Sequence, residues 1–215
     1  MKTFVNGYYL FSVWAMRLAY LNLLWIAFTL IGLILFGIMP ATAAMFSVVR
    51  KWVLEEQDIP VVKTFWRSYK KEFMQANAVG LILAVIGYLL IIGFQILRAQ
   101  ESITYFIASY GVVALMLLFC IIFLYIFPLF AHFNLKRLQY FRWSIMIGVI
   151  HPLLTIFLVI TLIIMHVVTF YAFPAMLFFF GGSVSAYITM WGVSRTFGKY
   201  EKPREDVIHD ANNWA

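Results

Sequence analysis

Five long apolar runs dominate this chain, and their length restricts it to a membrane fold. About 20 helical residues cross the ~30 Å hydrocarbon core of a bilayer, and each run is about that long or longer. We expect helices because no water is present there to satisfy backbone hydrogen bonds. The runs cover residues 21–39, 78–97, 105–130, 144–165 and 175–194. The sequence therefore predicts an all-α fold, a polytopic transmembrane helical bundle in which residues 1–215 form a single integral membrane domain.

The composition also indicates that lipid surrounds this chain. Hydrophobic residues make up 64% of the chain and charged residues 12%, whereas about a quarter of the residues in a soluble domain are charged. The net charge is +7, and the basic residues cluster at the ends of the apolar runs. That distribution is typical of membrane topology and not of a nucleic-acid surface. We expect the lipid bilayer as a partner and no nucleic acid.

The N-terminal residues are apolar and aromatic, but they are too few to span. Residues 8–17 are predicted to form an interfacial helix, with Tyr9 and Trp14 at the depth of the lipid headgroups. No cleavage site of a secretory signal peptide follows, so we expect the segment to be retained. Gly37 and Pro40 are predicted to end or kink the first span, because proline lacks an amide donor and clashes with the preceding turn.

The stretch 40–74 carries much of the charge and is predicted to be cytoplasmic. After a turn at Ile59 and Pro60, apolar and aromatic side chains recur on one helical face. These residues are Val62, Phe65, Trp66, Tyr69 and Phe73. The spacing predicts an amphipathic helix. Such a helix can lie on the inner leaflet, where each basic residue gains about 1 kcal/mol from anionic lipids, or it can dock on a protein; the two are compatible.

The distribution of Lys and Arg predicts an orientation. Five spans place the termini on opposite faces. One face then holds thirteen basic residues and the other only Lys2, Arg17 and Arg98. The positive-inside rule therefore predicts a multi-pass membrane protein with its N-terminus outside and its C-terminus cytoplasmic. An alternative with six spans would place Arg17 in mid-membrane, which is costly.

Motifs for chemistry are sparse. No Asp, Glu, Lys or Arg falls in the middle of a predicted span, and the HExxH, GxxxxGK[ST] and GxSxG patterns are absent. The single Cys120 excludes an intrachain disulfide and the usual Cys-based metal sites. We therefore expect no catalytic residues, no cofactor, no metal and no enzymatic activity. His151 is predicted near membrane depth, either as a pore or sensor residue beside Pro152 or as a histidine bonded to a neighbouring carbonyl.

Residues 16–80 resemble the YesL-like proteins, a family of small integral membrane proteins of Gram-positive bacteria. The pieces LNLLW, GIMPATAAMF, VRKW, DIP and TFWRSYKKEF carry the resemblance by their order and spacing. The family has no settled activity. Its members typically occur beside genes for sugar-importing ABC transporters, solute-binding proteins and polysaccharide-degrading enzymes. The resemblance therefore implies an accessory role in carbohydrate uptake, and it brings no catalytic residue.

The leading hypothesis is a non-enzymatic accessory subunit that binds or modulates a carbohydrate ABC importer through its permease or ATPase subunits. The chain lacks the EAA-type loop of an importer permease, so it is not expected to be such a permease itself. The residues predicted to bind the partner are Phe65, Trp66, Arg67, Tyr69 and Lys70. The alternative is a stand-alone small-solute transporter or channel with His151 and the glycine-rich helix faces along its path. A membrane sensor is a third hypothesis, although no output domain is attached.

Overall fold

The computed structural model describes residues 2–54, 56, 58–133, 135 and 137–198, with side chains from Tyr9 onward. Helices make up nearly all of this part of the chain, and no strand occurs in it. The helices are α1 (Lys2–Ile31), α2 (Ile38–Val53), α3 (Val61–Arg98), α4 (Ile103–His132), α5 (Arg137–Ile150), α6 (Pro152–Ala172) and α7 (Pro174–Phe197). The predicted all-α fold is confirmed.

The described residues contain five helices that are long and apolar enough to cross a membrane. These are Tyr9–Ile31, Val61–Arg98, Ile103–His132, Pro152–Ala172 and Pro174–Phe197. Their number agrees with the five predicted runs, but two runs are placed differently. The predicted run 21–39 includes the end of α1, a turn and the start of α2. The predicted run 144–165 is divided between α5 and α6.

The first two helices form an antiparallel hairpin. The rings of Trp14 and Trp52 lie 5.9 Å apart near its open end, and Trp25 Nε1 donates a 3.0 Å hydrogen bond to Thr42 Oγ1 further along. No separate interfacial helix precedes the span, because α1 is continuous from Lys2 to Ile31.

Residues 32–37 form the turn that closes this hairpin. Leu33 and Ile34 adopt φ values of 55° and 63°, a left-handed conformation that is costly for residues with a branched side chain. Gly37 precedes α2 as its N-cap residue, and Pro40 lies in the first helical turn, where its missing N–H costs nothing. The chain therefore breaks just before Pro40 and not at it.

The centre of the bundle is α2. It packs against α1, α3, α4 and α7, and more than half of its residues are buried. Ala41, Ala43 and Ala44 let the neighbouring helices approach closely. The first part of the stretch 40–74 thus lies in the core of the bundle, and the cytoplasmic location predicted for this stretch stays a prediction.

The first and last helices are also antiparallel. Trp14 contacts Tyr187 with ring centroids 5.5 Å apart, and Asn22 bonds to the backbone of Phe178 and Ser183. The start of α1 and the end of α7 therefore lie at the same end of the bundle. The predicted topology, with the N-terminus outside and the C-terminus cytoplasmic, stays a prediction.

Arg17, the residue that argued against an additional crossing, is not isolated. Its Nη2 atom lies 3.6 Å from Asp58 Oδ1 in the loop before α3. This pair joins α1 to the end of the bundle that also holds the C-terminal ends of α2, α4 and α7. We call it the basic end, because every Lys and Arg whose side chain is described lies towards it except Arg98.

The predicted amphipathic helix is the first part of α3. The helix continues without interruption from Val61 to Arg98, so it runs directly into the predicted second span. The α3–α4 hairpin closes at the opposite end of the bundle, where the Arg98 guanidinium lies 4.9 Å from the ring centroid of Phe106.

Candidate partner-binding surface and basic cleft

The first four turns of α3 present three different faces. One face is buried and carries Phe65 and Tyr69. A second face is exposed and carries Trp66 and Lys70. The third lines a polar cleft and carries Arg67 among other residues. The five predicted partner-binding residues therefore do not share one surface.

Phe65 and Tyr69 belong to the internal packing. Phe65 is fully buried, with its ring centroid 5.0 Å from that of Phe28 on α1. The Tyr69 hydroxyl donates a 3.3 Å hydrogen bond to the Phe28 carbonyl. These side chains are therefore not available to a partner in this fold. The periodic pattern did not separate them from Trp66, because consecutive aromatic positions lie only 100° apart on a helix.

Trp66 and Lys70 form the exposed part of the predicted surface. Trp66 is 41% exposed, and the Lys70 Nζ atom lies 4.4 Å from its ring centroid, a cation–π distance. Trp66 also borders a broad groove of about 850 Å³ between α1 and the start of α3. Tyr20, Ile31 and Val62 line that groove, so its walls are mainly apolar. We call Trp66, Lys70 and this groove the α1–α3 surface.

The basic cleft has a volume of about 380 Å³ and lies between α2, α3 and α4. Its cations are Arg50 and Lys51 from α2 and Arg67 and Lys71 from α3. Hydroxyl side chains of Ser47, Thr64 and Ser68 line it as well, and Phe130 and Ala131 of α4 form an apolar wall. The sequence pattern did not predict this cleft, because it depends on α2 and α3 running side by side.

Arg50 is held in the cleft by a contact that sequence reasoning missed. Its Nε atom donates a 3.0 Å hydrogen bond to His132 Nδ1 at the end of α4. Nδ1 can accept only in the neutral imidazole that carries its proton on Nε2. The imidazole thus positions the guanidinium without neutralising its charge.

His151 lies at the junction of α5 and α6. It precedes α6 as its N-cap residue, and Pro152 begins that helix. Thr155 Oγ1 donates to the carbonyls of Gly148 and His151 and lies 2.8 Å from the Tyr125 hydroxyl. The Gly148 carbonyl, which receives no N–H from Pro152, is therefore satisfied by a buried hydroxyl pair.

A second cavity, of about 310 Å³, lies inside the bundle. Thr42, Ser185 and Thr189 supply its hydroxyls, Gly182 lies in its wall, and the remaining lining is apolar. His151 is not part of this lining, so the structure does not bring the glycine-rich face of α7 and His151 to one path. Among the described residues, no three His, Cys, Asp or Glu side chains come together as metal ligands.

Comparison with known proteins gives relatives across most of the chain. The family described as "Protein of unknown function, DUF624" matches residues 18–94. The chain is 38% identical to the uncharacterised protein YteU of Bacillus subtilis (strain 168) over 183 residues, which is 84% of this chain and 80% of YteU. It is 38% identical to YesL of the same organism over 190 residues, covering 86% of this chain and 87% of YesL.

A third relative, YesV of Bacillus subtilis, is 32% identical over 186 residues, which cover 86% of this chain and 88% of YesV. No solved structure matches the chain. The relatives are uncharacterised, so they carry no activity over to this protein. Their identity and coverage confirm the resemblance found in residues 16–80 and extend it beyond them. The chain belongs to the DUF624 family, the YesL-like membrane proteins of unknown function.

Proposed function

We propose that the protein is a non-enzymatic accessory subunit of a carbohydrate ABC importer in the bacterial plasma membrane. The observation that carries the proposal is the α1–α3 surface, an exposed aromatic and basic face beside an apolar groove. Tryptophan is among the side chains that dominate the energetics of many interfaces. The resemblance to the YesL-like proteins supplies the class of partner.

The proposed orientation places the basic end of the bundle in the cytoplasm. The described cations other than Arg98 lie towards this end, and the positive-inside rule assigns such an end to the cytoplasm. Both described ends of the chain then lie inside, in place of the N-terminus outside that five crossings would require. Trp66 and Lys70, near the start of α3, lie where the importer's permease or ATPase subunit is within reach.

The groove suits a helix of the permease. Its mainly apolar lining, with Tyr20 and Ile31 from α1 and Val62 from α3, matches the stripe of a helix at the membrane surface. Lys63 and Lys70 flank Trp66 and would face acidic groups or lipid phosphates at the rim. Docking there would leave the basic cleft open, because the cleft uses another face of α3.

An affinity purification of the intact chain from its native membrane tests the proposal. The double variant Trp66→Ala/Lys70→Ala should reduce co-purification of ABC permease subunits. The matched control is Trp191→Ala/Arg195→Ala on α7, where a guanidinium lies 3.7 Å from an equally exposed tryptophan ring. Equal recovery of the permease with both variants would refute the assignment of the surface. Recovery of the chain without any importer subunit would refute the function itself.

The alternative function is a stand-alone small-solute transporter. The observation that favours it is the cavity of about 310 Å³, which carries three hydroxyl side chains in an otherwise apolar lining. It predicts solute flux in liposomes that contain this chain alone, with loss of flux in Ser185→Ala/Thr189→Val. Because His151 lies outside this cavity, His151→Ala should leave such flux unchanged.

A further inference from the structure

The basic cleft concentrates positive charge that the described carboxylates only partly balance. Lys71 Nζ lies 3.2 Å from Glu72 Oε1, and Lys51 Nζ lies 3.5 Å from Glu56 Oε2. Among the described residues, neither Arg50 nor Arg67 lies within 4.0 Å of a carboxylate. Glu72 also lines the cleft, but its carboxylate is paired with Lys71. Two guanidinium groups from two different helices therefore face one space without a described carboxylate of their own.

The arginines are placed to receive an anion. Arg50 is half-buried and fixed in orientation by the hydrogen bond from its Nε to His132, which leaves the two terminal amino groups of the guanidinium. Arg67 approaches from α3 together with the hydroxyl-bearing Thr64 and Ser68. A guanidinium presents its donors as a planar fork that matches the oxygens of a phosphate group.

The shape of the cleft suits an amphipathic ligand. Phe130 and Ala131 of α4 supply an apolar wall beside the cations, and the volume of about 380 Å³ exceeds the needs of a single ion. Basic pockets between transmembrane helices on the cytoplasmic side are typical binding sites of anionic lipid headgroups.

We propose that the cleft between α2, α3 and α4 binds a phosphate group of net negative charge, with Arg50 and Arg67 as its principal ligands. The phosphate is carried either by an anionic phospholipid, whose glycerol region lies against Phe130, or by a small soluble phosphate. This site does not depend on the importer, because it uses neither Trp66 nor the α1–α3 groove.

Native mass spectrometry of the intact chain, purified in a nonionic detergent, tests the site. Phosphatidylglycerol and phosphatidylcholine are added in separate titrations. We expect phosphatidylglycerol to bind at least tenfold more tightly, because only that headgroup carries net negative charge. In a third arm, inorganic phosphate is added and the thermal unfolding midpoint is followed. Saturable stabilisation there assigns the site to soluble phosphates, and selective lipid binding assigns it to the headgroup.

Charge-matched variants separate a site from general attraction. Loss of one charge-assisted hydrogen-bonding partner should weaken binding about tenfold, so Arg50→Gln/Arg67→Gln should abolish binding at the concentrations used. Lys63→Gln/Lys70→Gln removes the same charge from the exposed face of α3 and should change affinity less than threefold. The single variant Arg67→Gln is the control for misfolding of the double variant, because Arg67 is exposed and its replacement should leave the fold intact. It should still bind the anionic lipid about tenfold more weakly. Equal effects of the two double variants, or no binding in any arm, would overturn the proposal.

Discussion

The Oδ1 atom of Asn22 accepts a 3.0 Å hydrogen bond from the backbone N–H of Ser183, in the middle of α7. The amide of the same side chain donates at 2.6 Å to the carbonyl of Phe178. Asn22 is almost fully buried. A single polar side chain thus joins the first and last helices of the bundle by two hydrogen bonds in a region where water is scarce.

Replacement of this residue should loosen the bundle. We expect Asn22→Ala to lower the free energy of unfolding by about 1–2 kcal/mol, since interhelical hydrogen bonds in membranes contribute about that much. The measurement is unfolding by sodium dodecyl sulfate in mixed micelles. The exposed Gln95 provides the control Gln95→Ala, which should change the transition by less than about 0.5 kcal/mol. Equal effects of both substitutions would contradict the bridging role.

The close approach of α1 to α7 also depends on Gly182. A Cβ atom there would lie 2.8 Å from Asn22 Oδ1, so Gly182→Ala should push the helices apart and cost about 1–3 kcal/mol. Gly93 has open space around its Cα, and Gly93→Ala should be neutral or slightly stabilising because alanine favours the helix. The same detergent titration compares the two. Similar stability of both variants would show that the helices do not meet at Gly182.

The buried and exposed faces of α3 should respond differently to mutation. Phe65→Ala removes a fully buried ring and should cost about 3 kcal/mol of stability, whereas Trp66→Ala should cost less than about 1 kcal/mol. Unfolding midpoints of the two purified variants give the comparison. A large loss for Trp66→Ala would mean that this side chain supports the fold and that reduced partner binding of its variant could not be attributed to the surface.

The antiparallel arrangement of α1 and α7 predicts that both termini lie on one side of the membrane. A reporter that is active only in the cytoplasm should be active when fused to either terminus. It should be inactive when inserted at Ser102, between α3 and α4, because that loop lies at the opposite end of the bundle. Activity at the C-terminus alone would instead support the five-crossing topology that the basic residues suggested.

Tyr140 links the α4–α5 connection to α5. Its hydroxyl donates to the Phe133 carbonyl at 3.0 Å and accepts from the Leu135 N–H at 3.1 Å. Burial raises the pKa of Tyr140 above its ordinary value of about 10, and the nearby Glu72 adds to this, whereas the Leu135 hydrogen bond opposes it. The folded state therefore favours the neutral phenol.

The resulting contribution to stability is complete below pH of about 10 and is lost as the pH rises above it, because only the unfolded state then releases the proton readily. Tyr140→Phe should lose about 1 kcal/mol at pH 8 and show a shallower decline at higher pH than the wild type. The control Tyr88→Phe, at an exposed position, should retain the wild-type decline. The measurement is the unfolding midpoint of the three proteins between pH 8 and pH 11. Parallel plots of midpoint against pH for all three would contradict the contribution of Tyr140.

The sequence predicted the parts of the fold that follow from local pattern. The ends of the apolar runs near Arg98 and Phe130 agree with α3 and α4, because a run of that length has one stable conformation in lipid. Pro152 signals the break at His151, but the apolar residues on both sides concealed it within one predicted run. The predictions on residues 199–215 lie outside the described part of the chain.

The structure differs from the sequence-based predictions where contacts between residues far apart in the chain decide the surroundings of a side chain. In the sequence, Arg17 argued against a membrane crossing by the N-terminal segment. In the structure, Arg17 lies beside Asp58 at the basic end of the bundle. Phe65 and Trp66 share the same periodic stripe and both contact Phe28, and only the packing of the whole bundle buries Phe65 and leaves Trp66 exposed. The basic cleft required the pairing of α2 with α3, which no property of either segment alone could reveal.

The central position of α2 has a consequence for the order in which the protein is assembled during synthesis. Three of the four helices that surround α2, namely α3, α4 and α7, leave the ribosome after it. The last helix of the chain, α7, faces α2 across the internal cavity and contributes Gly182 and Ala186 to its lining. A nascent chain that ends before Pro174 therefore holds a core helix with one side uncovered, and we expect quality-control proteases of the membrane to recognise such a chain until α7 has inserted.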